Sequence, residues 1–268
     1  MQPIFSIIKW ELWQRRWSIV WWCVGILAFI ALNLSFYPSF RDQSAELEQA
    51  FADIPDSAMA LLSDTGDFMS PVGYLSSQIF YLMLPMLLGI LAISLGSSLI
   101  AREEKEGTIE LLLSRPISRG ALLAGKSLAG IIITTVAGLV ALVSTVLLSL
   151  AVDLDVSSKG VALASLASLL LALSFGAVAL LVTLFGKARI ASVGIATLFA
   201  LGGYIIASLA GAADWLKYPA KVFPFNYYKP AEIMLGTYNW WNISFIIGVI
   251  IACGIFSYVI FRRRDLAG

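Results

Sequence analysis

The sequence predicts an all-α, polytopic membrane protein with six transmembrane helices and both termini in the cytoplasm. Three observations carry this. Of its 268 residues, 59% are hydrophobic and 13% charged, with a mean hydropathy of +0.88. A soluble domain is about a quarter charged, and this chain has too little polar surface to cover a water-soluble globule. The same composition excludes an intrinsically disordered chain. Next, six stretches reach the ~20 apolar residues that a bilayer span requires. They cover residues 17–36, 76–101, 127–151, 161–185, 190–211 and 240–261, and none holds Asp, Glu, Lys or Arg. Lastly, charge is partitioned. The segments 1–16, 102–126 and 186–189 and the C-terminus together hold 13 basic and six acidic residues, and the other segments five basic and 11 acidic. The positive-inside rule puts the basic face in the cytoplasm.

Taken in order, residues 1–16 read as an interfacial helix before the first span. Trp10, Trp13 and Trp17 share one helical face, and Ile4, Ile8 and Leu12 share another, with Lys9 and Arg16 between. Tryptophan favours the headgroup region, and Lys and Arg snorkel to water, so the three tryptophans are membrane-interface anchors. A cytoplasmic continuation of the first span is the alternative. That span is too long for a signal-peptide core and lacks a small-residue cleavage site, so it is expected to be retained. Residues 37–75 form an acidic outer loop, with Leu47, Phe51 and Ile54 as a short apolar face before Pro55. Asp64 and Asp67 there read as solvated carboxylates rather than a cation site. Pro85 is expected to kink the second span. The small residues of the fourth and fifth spans, such as Gly176, Gly202 and Gly203, read as helix-packing positions. The outer segment 212–239 is rich in aromatic residues and proline, which argues against one continuous helix.

What the chain lacks is also informative. It has no histidine, which removes imidazole acid–base catalysis, Ser-His-Asp triads and most zinc sites. Cys23 and Cys253 lie in apolar segments and read as free buried thiols. Nothing points to nucleic acid as a partner.

The segment 102–126 is the most distinctive. Glu103, Glu106 and Glu110 stand at i, i+3, i+7, so a helix through them would carry an acidic stripe opposite Ile109, Leu112 and Leu113, until Pro116 ends it. Two roles fit: docking of a cytoplasmic partner, or lying in the interface with the leucines in lipid. Gly120–Ser127 also fits the phosphate-loop pattern G-x-x-x-x-G-K-[ST]. That pattern needs a buried strand before it and a soluble helix after it. Here a polar turn precedes and a span follows, so Lys126 reads as an anchor of the third span at the inner interface.

The run R-E-E-K-E-G-T-I-E-L-L-L-S-R-P-I-S-R, with Lys126 beyond it, lies between the second and third of six spans. It resembles ATP-binding-cassette permeases of the type-2 exporter family, as does P-F-N-Y-Y-K-P at residues 224–230 before the last span. The resemblance implies that this loop is a coupling helix seated in a partner ATPase. Its contact residues would be Glu103, Glu104, Glu106, Gly107, Thr108, Glu110, Leu111, Leu112, Arg115, Pro116 and Arg119. It further implies a single permease domain over residues 1–268, a second permease chain (a homodimer), two ABC ATPase copies carrying the ATP and Mg, and no cofactor or catalytic residue on this chain. The setting implied is a prokaryotic plasma membrane. Spans without charge suit a hydrophobic or amphipathic cargo, exported from the cytoplasm. The alternatives are a stand-alone channel or secondary transporter, which would place ionisable residues in its spans, an intramembrane enzyme, and a structural subunit.

Overall fold

A computed structural model describes residues 2–43, 55–64, 68–107, 117–186 and 189–263. Among these residues the architecture is entirely helical. Six helices are long and apolar enough to cross a membrane, at Arg16–Asp42, Pro71–Ser98, Arg119–Ala151, Ser158–Leu184, Arg189–Leu209 and Trp241–Arg263.

The chain opens with α1 (Gln2–Gln14), which breaks at Arg15 before α2 (Arg16–Ser35) and its short extension α3 (Tyr37–Asp42). The break leaves Trp17 on α2, separate from Trp10 and Trp13. In the outer loop, α4 (Asp56–Leu62) is one short helix; Leu47, Phe51, Ile54 and Asp67 lie outside the described residues. The second span is composite. It starts as α5 (Pro71–Leu75), capped by the Ser70 hydroxyl, which accepts from Gly73 N at 3.0 Å. A wider π turn follows at Ser76–Phe80, and then α6 (Met83–Ser98). Pro85 therefore falls in the first turn of α6, where its missing N–H breaks no regular helix bond. The irregularity lies just before the proline.

A short α7 (Ala101–Lys105) leads toward the connecting loop. The third span, α8 (Arg119–Ala151), begins eight residues before the hydropathy boundary, with the Ser118 hydroxyl accepting from Ala121 N at 3.2 Å. Then come α9 (Ser158–Leu184) and α10 (Arg189–Leu209). The proline-rich outer segment folds into short pieces, among them α11 (Lys217–Ala220), a 3₁₀ turn at Pro224–Tyr227 and α12 (Pro230–Leu235). The last span is α13 (Trp241–Arg263).

Most of α6 and α9 is buried, whereas α2, α10 and α13 keep most of their apolar residues at the surface. In a bilayer such residues face lipid and need no protein partner. The centre is held by close approach. A Cβ on Gly96 of α6 would stand 2.2 Å from the Gly176 carbonyl oxygen of α9. Only glycine permits that contact, and such contacts replace the hydrophobic drive that is missing between helices in lipid. Several span hydroxyls are satisfied locally: Thr134, Thr145, Ser165 and Thr183 each donate to the carbonyl four residues back, at 2.8–3.0 Å, whereas the buried Ser257 hydroxyl has no partner among the described residues.

The outer end is pinned by tyrosines. Tyr228 is fully buried, donates to the Phe80 carbonyl at 2.9 Å and pairs with the Ser168 hydroxyl at 2.6 Å. In the π turn Tyr81 N bonds back to Ser76 O at 2.6 Å, and the Phe80 carbonyl at its end is the one that accepts from Tyr228. Tyr81 and Tyr204 donate to the carbonyls of Ala60 and Leu61, holding α4 down. Asp64 accepts from Ala231 N at 3.0 Å and from the Ser76 hydroxyl. It is a structural acceptor joining the outer loop to α12, not the solvated carboxylate expected from sequence. Tyr238 donates to Tyr227 O at 2.7 Å, and burial pushes its phenol up to about 12, so it stays protonated as a donor.

Candidate functional site

The end of the bundle that carries the chain termini brings α1, α7 and α8 together around one lysine. Lys126 stands about two turns inside α8. Its Nζ lies 2.5 Å from Glu11 Oε1 on α1 and 2.8 Å from Glu103 Oε1 on α7. Arg15 adds a bond from its Nε to Glu11 Oε2 at 3.1 Å, and its Nη2 reaches the Ser98 hydroxyl at the end of α6 at 3.2 Å. Lys126 and Glu11 are only 3% and 2% exposed. Isolated charges at that depth would be prohibitively costly. Two carboxylates against one ammonium and one guanidinium leave the cluster without net charge.

This corrects the reading of Lys126 as an interfacial anchor. The side chain points into the molecule, because Glu11 and Glu103 offer it charge-assisted bonds closer than the membrane surface. The third charge-free stretch, 127–151, begins one residue beyond Lys126 on the same helix. Because α8 starts at Arg119, Lys126 belongs to a spanning helix. Its pairing on both sides makes it structural rather than a proton or ion path. Trp10, Trp13 and Trp17 are largely exposed; Trp10 and Trp13 stack at 5.8 Å, and the Arg16 guanidinium lies 4.4 Å above the Trp13 ring.

Of the acidic stripe expected in the connecting loop, Glu110 lies outside the described residues, and Glu103 and Glu106 point to different sides. α7 ends at Lys105, and Gly107 takes a φ of 68°, a left-handed conformation that stops the helix. Glu103 turns inward to Lys126, whereas Glu106 faces outward and accepts from Arg102 at 2.8 Å. The Glu106 contact raises the Arg102 pKa and keeps the guanidinium charged. Thr108, Glu110, Leu111, Leu112, Arg115 and Pro116 lie outside the described residues. Arg119 is the first residue of α8, and Glu104 lies on α7. The phosphate-loop pattern Gly120–Ser127 forms the first two turns of α8, with its lysine already engaged by carboxylates, and forms no phosphate cradle.

Sequence reasoning missed Glu11 and Arg15. Two signals were present: Glu11 is the sole acid before the first span, and Arg15 follows it by one helical turn. Among the described residues no group of three His, Cys, Asp or Glu side chains is placed to hold a metal ion. Two apolar cavities lie between the spans. One of about 290 Å³ is lined by α6, α8, α9 and α13 and includes Leu99, Ser127, Ala177 and Tyr258. A smaller one of about 130 Å³, lined by α6, α9 and α10, lies nearer the outer end beside Tyr204 and Phe225.

A six-span bundle with a charged, internally tied loop after the second span has a counterpart among known families. Residues 5–266 match the family model described as ABC-2 family transporter protein. The chain belongs to the ABC-2 transporter family. No curated protein matches it significantly. As an ABC-2 permease it is a multi-pass membrane component of a transporter, and permeases of this family work with an ATPase subunit. The match takes in α1 and the last span alike, so the Glu11–Lys126–Glu103 cluster lies within the ABC-2 domain.

Proposed function

We propose that this ABC-2 permease is the membrane half of an ATP-driven exporter. Two chains pair as a homodimer in a prokaryotic plasma membrane, with both termini cytoplasmic. Two copies of an ABC ATPase dock beneath them, and ATP and Mg are bound there and not on this chain. The segment 102–126 meets the ATPase and receives its motion.

The observation that carries this reading is the ion cluster at the root of that segment. Glu103 opens the loop, and Lys126 binds it together with Glu11 of α1. A displacement of the loop is thus passed to α1 and to the third span without first breaking an apolar contact. Elsewhere, at Gly96–Gly176, the backbones of α6 and α9 meet with no side chain between them, a local contact that favours sliding. The apolar cavities support a hydrophobic or amphipathic cargo.

The test is a pull-down of the tagged permease from its native membrane in nanodiscs, with mass determination of the complex. A stoichiometric ATPase, lost when residues 104–116 are scrambled while the permease still inserts, is the expected result. A folded chain that comes alone after crosslinking with trapped nucleotide would overturn the reading in favour of a stand-alone channel.

A further inference from the structure

The larger cavity has a shape and a rim that the transport reading leaves unused. On α8 its lining runs from Leu123 to Thr134, which at ~1.5 Å per residue extends about 16 Å along the helix. That is about half of a ~30 Å hydrocarbon core, the depth of one leaflet. The walls are almost wholly apolar. Gly96 and Gly176 form the back, where α6 and α9 touch. The exposed lining residues are Ile131 on α8 and Gly254 and Tyr258 on α13. The cavity is therefore reached from the lipid-facing surface between these two helices.

Charge complements this shape at one end only. Tyr258, at the terminal end of the cavity, lies 5.6 Å beneath the Arg262 guanidinium. Arg262 and Arg263 are both exposed, one turn beyond the cavity on the same helix. Among the described residues no carboxylate lies within ion-pair distance of either. The nearby acids Glu11 and Glu103 are already committed to Lys126. An apolar slot of one-leaflet depth, open sideways to lipid, with the Arg262 guanidinium over its end and exposed Arg263 next to it in the chain, fits an amphiphile with a single anionic head. A neutral cargo would leave those charges unused.

We propose that the cavity is an anionic-phospholipid site, with one acyl chain between α8 and α13 and the phosphate held by Arg262 and Arg263. A lipid there wedges the last span against the helix that carries Lys126. The site rests on the membrane-spanning character of the chain and not on its ATPase, so its failure leaves the exporter reading intact.

The test is native mass spectrometry of the full chain, delipidated and then offered equal phosphatidylglycerol and phosphatidylcholine. The expected result is one phosphatidylglycerol retained per chain. Ala177→Leu fills the cavity and should abolish retention, and Ala124→Leu, on another wall, should do the same if the first variant folds poorly. Arg262→Gln with Arg263→Gln should lower the preference for phosphatidylglycerol by about thirtyfold, the scale expected of two basic residues at an anionic surface. Equal retention of the two lipids by the wild type, or undiminished retention in a folded cavity-filled variant, would overturn the proposal. So would a preference that survives loss of both arginines, since the anionic head would then be held by other groups.

Discussion

Lys126 shows how much one residue's meaning depends on its neighbours. From sequence it is a basic residue near the start of a span, and snorkelling is the natural expectation. Its two carboxylate partners come from 115 and 23 residues away, and no local pattern announces them. Lys126→Ala leaves buried Glu11 with Arg15 alone and strips Glu103 of its ammonium partner, and should cost about 3–5 kcal/mol. The measurement is thermal unfolding in detergent. Lys126→Met combined with Glu103→Gln should recover much of that loss, because Glu11 keeps Arg15 and no buried charge is left unpaired. A Lys126→Ala protein as stable as wild type would remove the cluster from the account. Tyr228 is a second case. Its aromatic, proline-rich context was visible in sequence, but its bonds to Phe80 and Ser168 were not. Tyr228→Phe should cost about 1–3 kcal/mol, the usual penalty for leaving buried polar groups unpaired.

At the level of elements, hydropathy located the helices but not their ends. The third helix begins at Arg119 because Ser118 caps it, and a cap is a hydrogen-bonding event that apolar averaging cannot register. The second span is interrupted by a π turn before Pro85, set by the fit of Tyr228 against Phe80 as much as by the proline. Gly107 leaves helical geometry, so α7 ends ahead of Glu110, the member of the acidic stripe that lies outside the described residues. The contact between α6 and α9 yields a direct test. Gly96→Ala places a Cβ against the Gly176 carbonyl and should destabilise by about 1–3 kcal/mol, the usual cost of overpacking. Gly25→Ala, which meets nothing within 4 Å, is the matched control and should be neutral or slightly stabilising. Equal unfolding temperatures for the two variants would show that α6 and α9 do not pack this tightly.

For the whole molecule, orientation and docking are the properties to test. The charge partition predicts that a phosphatase fused at the C-terminus is inactive, and that one inserted in the 152–157 loop is active. The reverse pattern would invert the topology and put the basic face outside. Glu106→Lys should leave insertion intact and weaken co-purification of the ATPase, since Glu106 faces away from the bundle, paired only with the half-exposed Arg102. Unchanged co-purification and transport-coupled ATPase activity would take this carboxylate out of the docking surface.

Composition and period alone determined that this is a helical membrane protein of six spans, because burying apolar residues in lipid is a property of each segment taken by itself. The loop after the second span and residues 224–230 before the last pointed to the transporter family for a similar reason: both are written in contiguous residues. Tertiary structure alone decided that Lys126 is an internal ion-pair centre, that Asp64 braces the outer loop against α12, and that a leaflet-deep cavity opens beneath two arginines. These depend on distances between residues far apart in the chain. Such distances are set by close helix contacts such as Gly96 against Gly176, where a single Cβ would separate the helices.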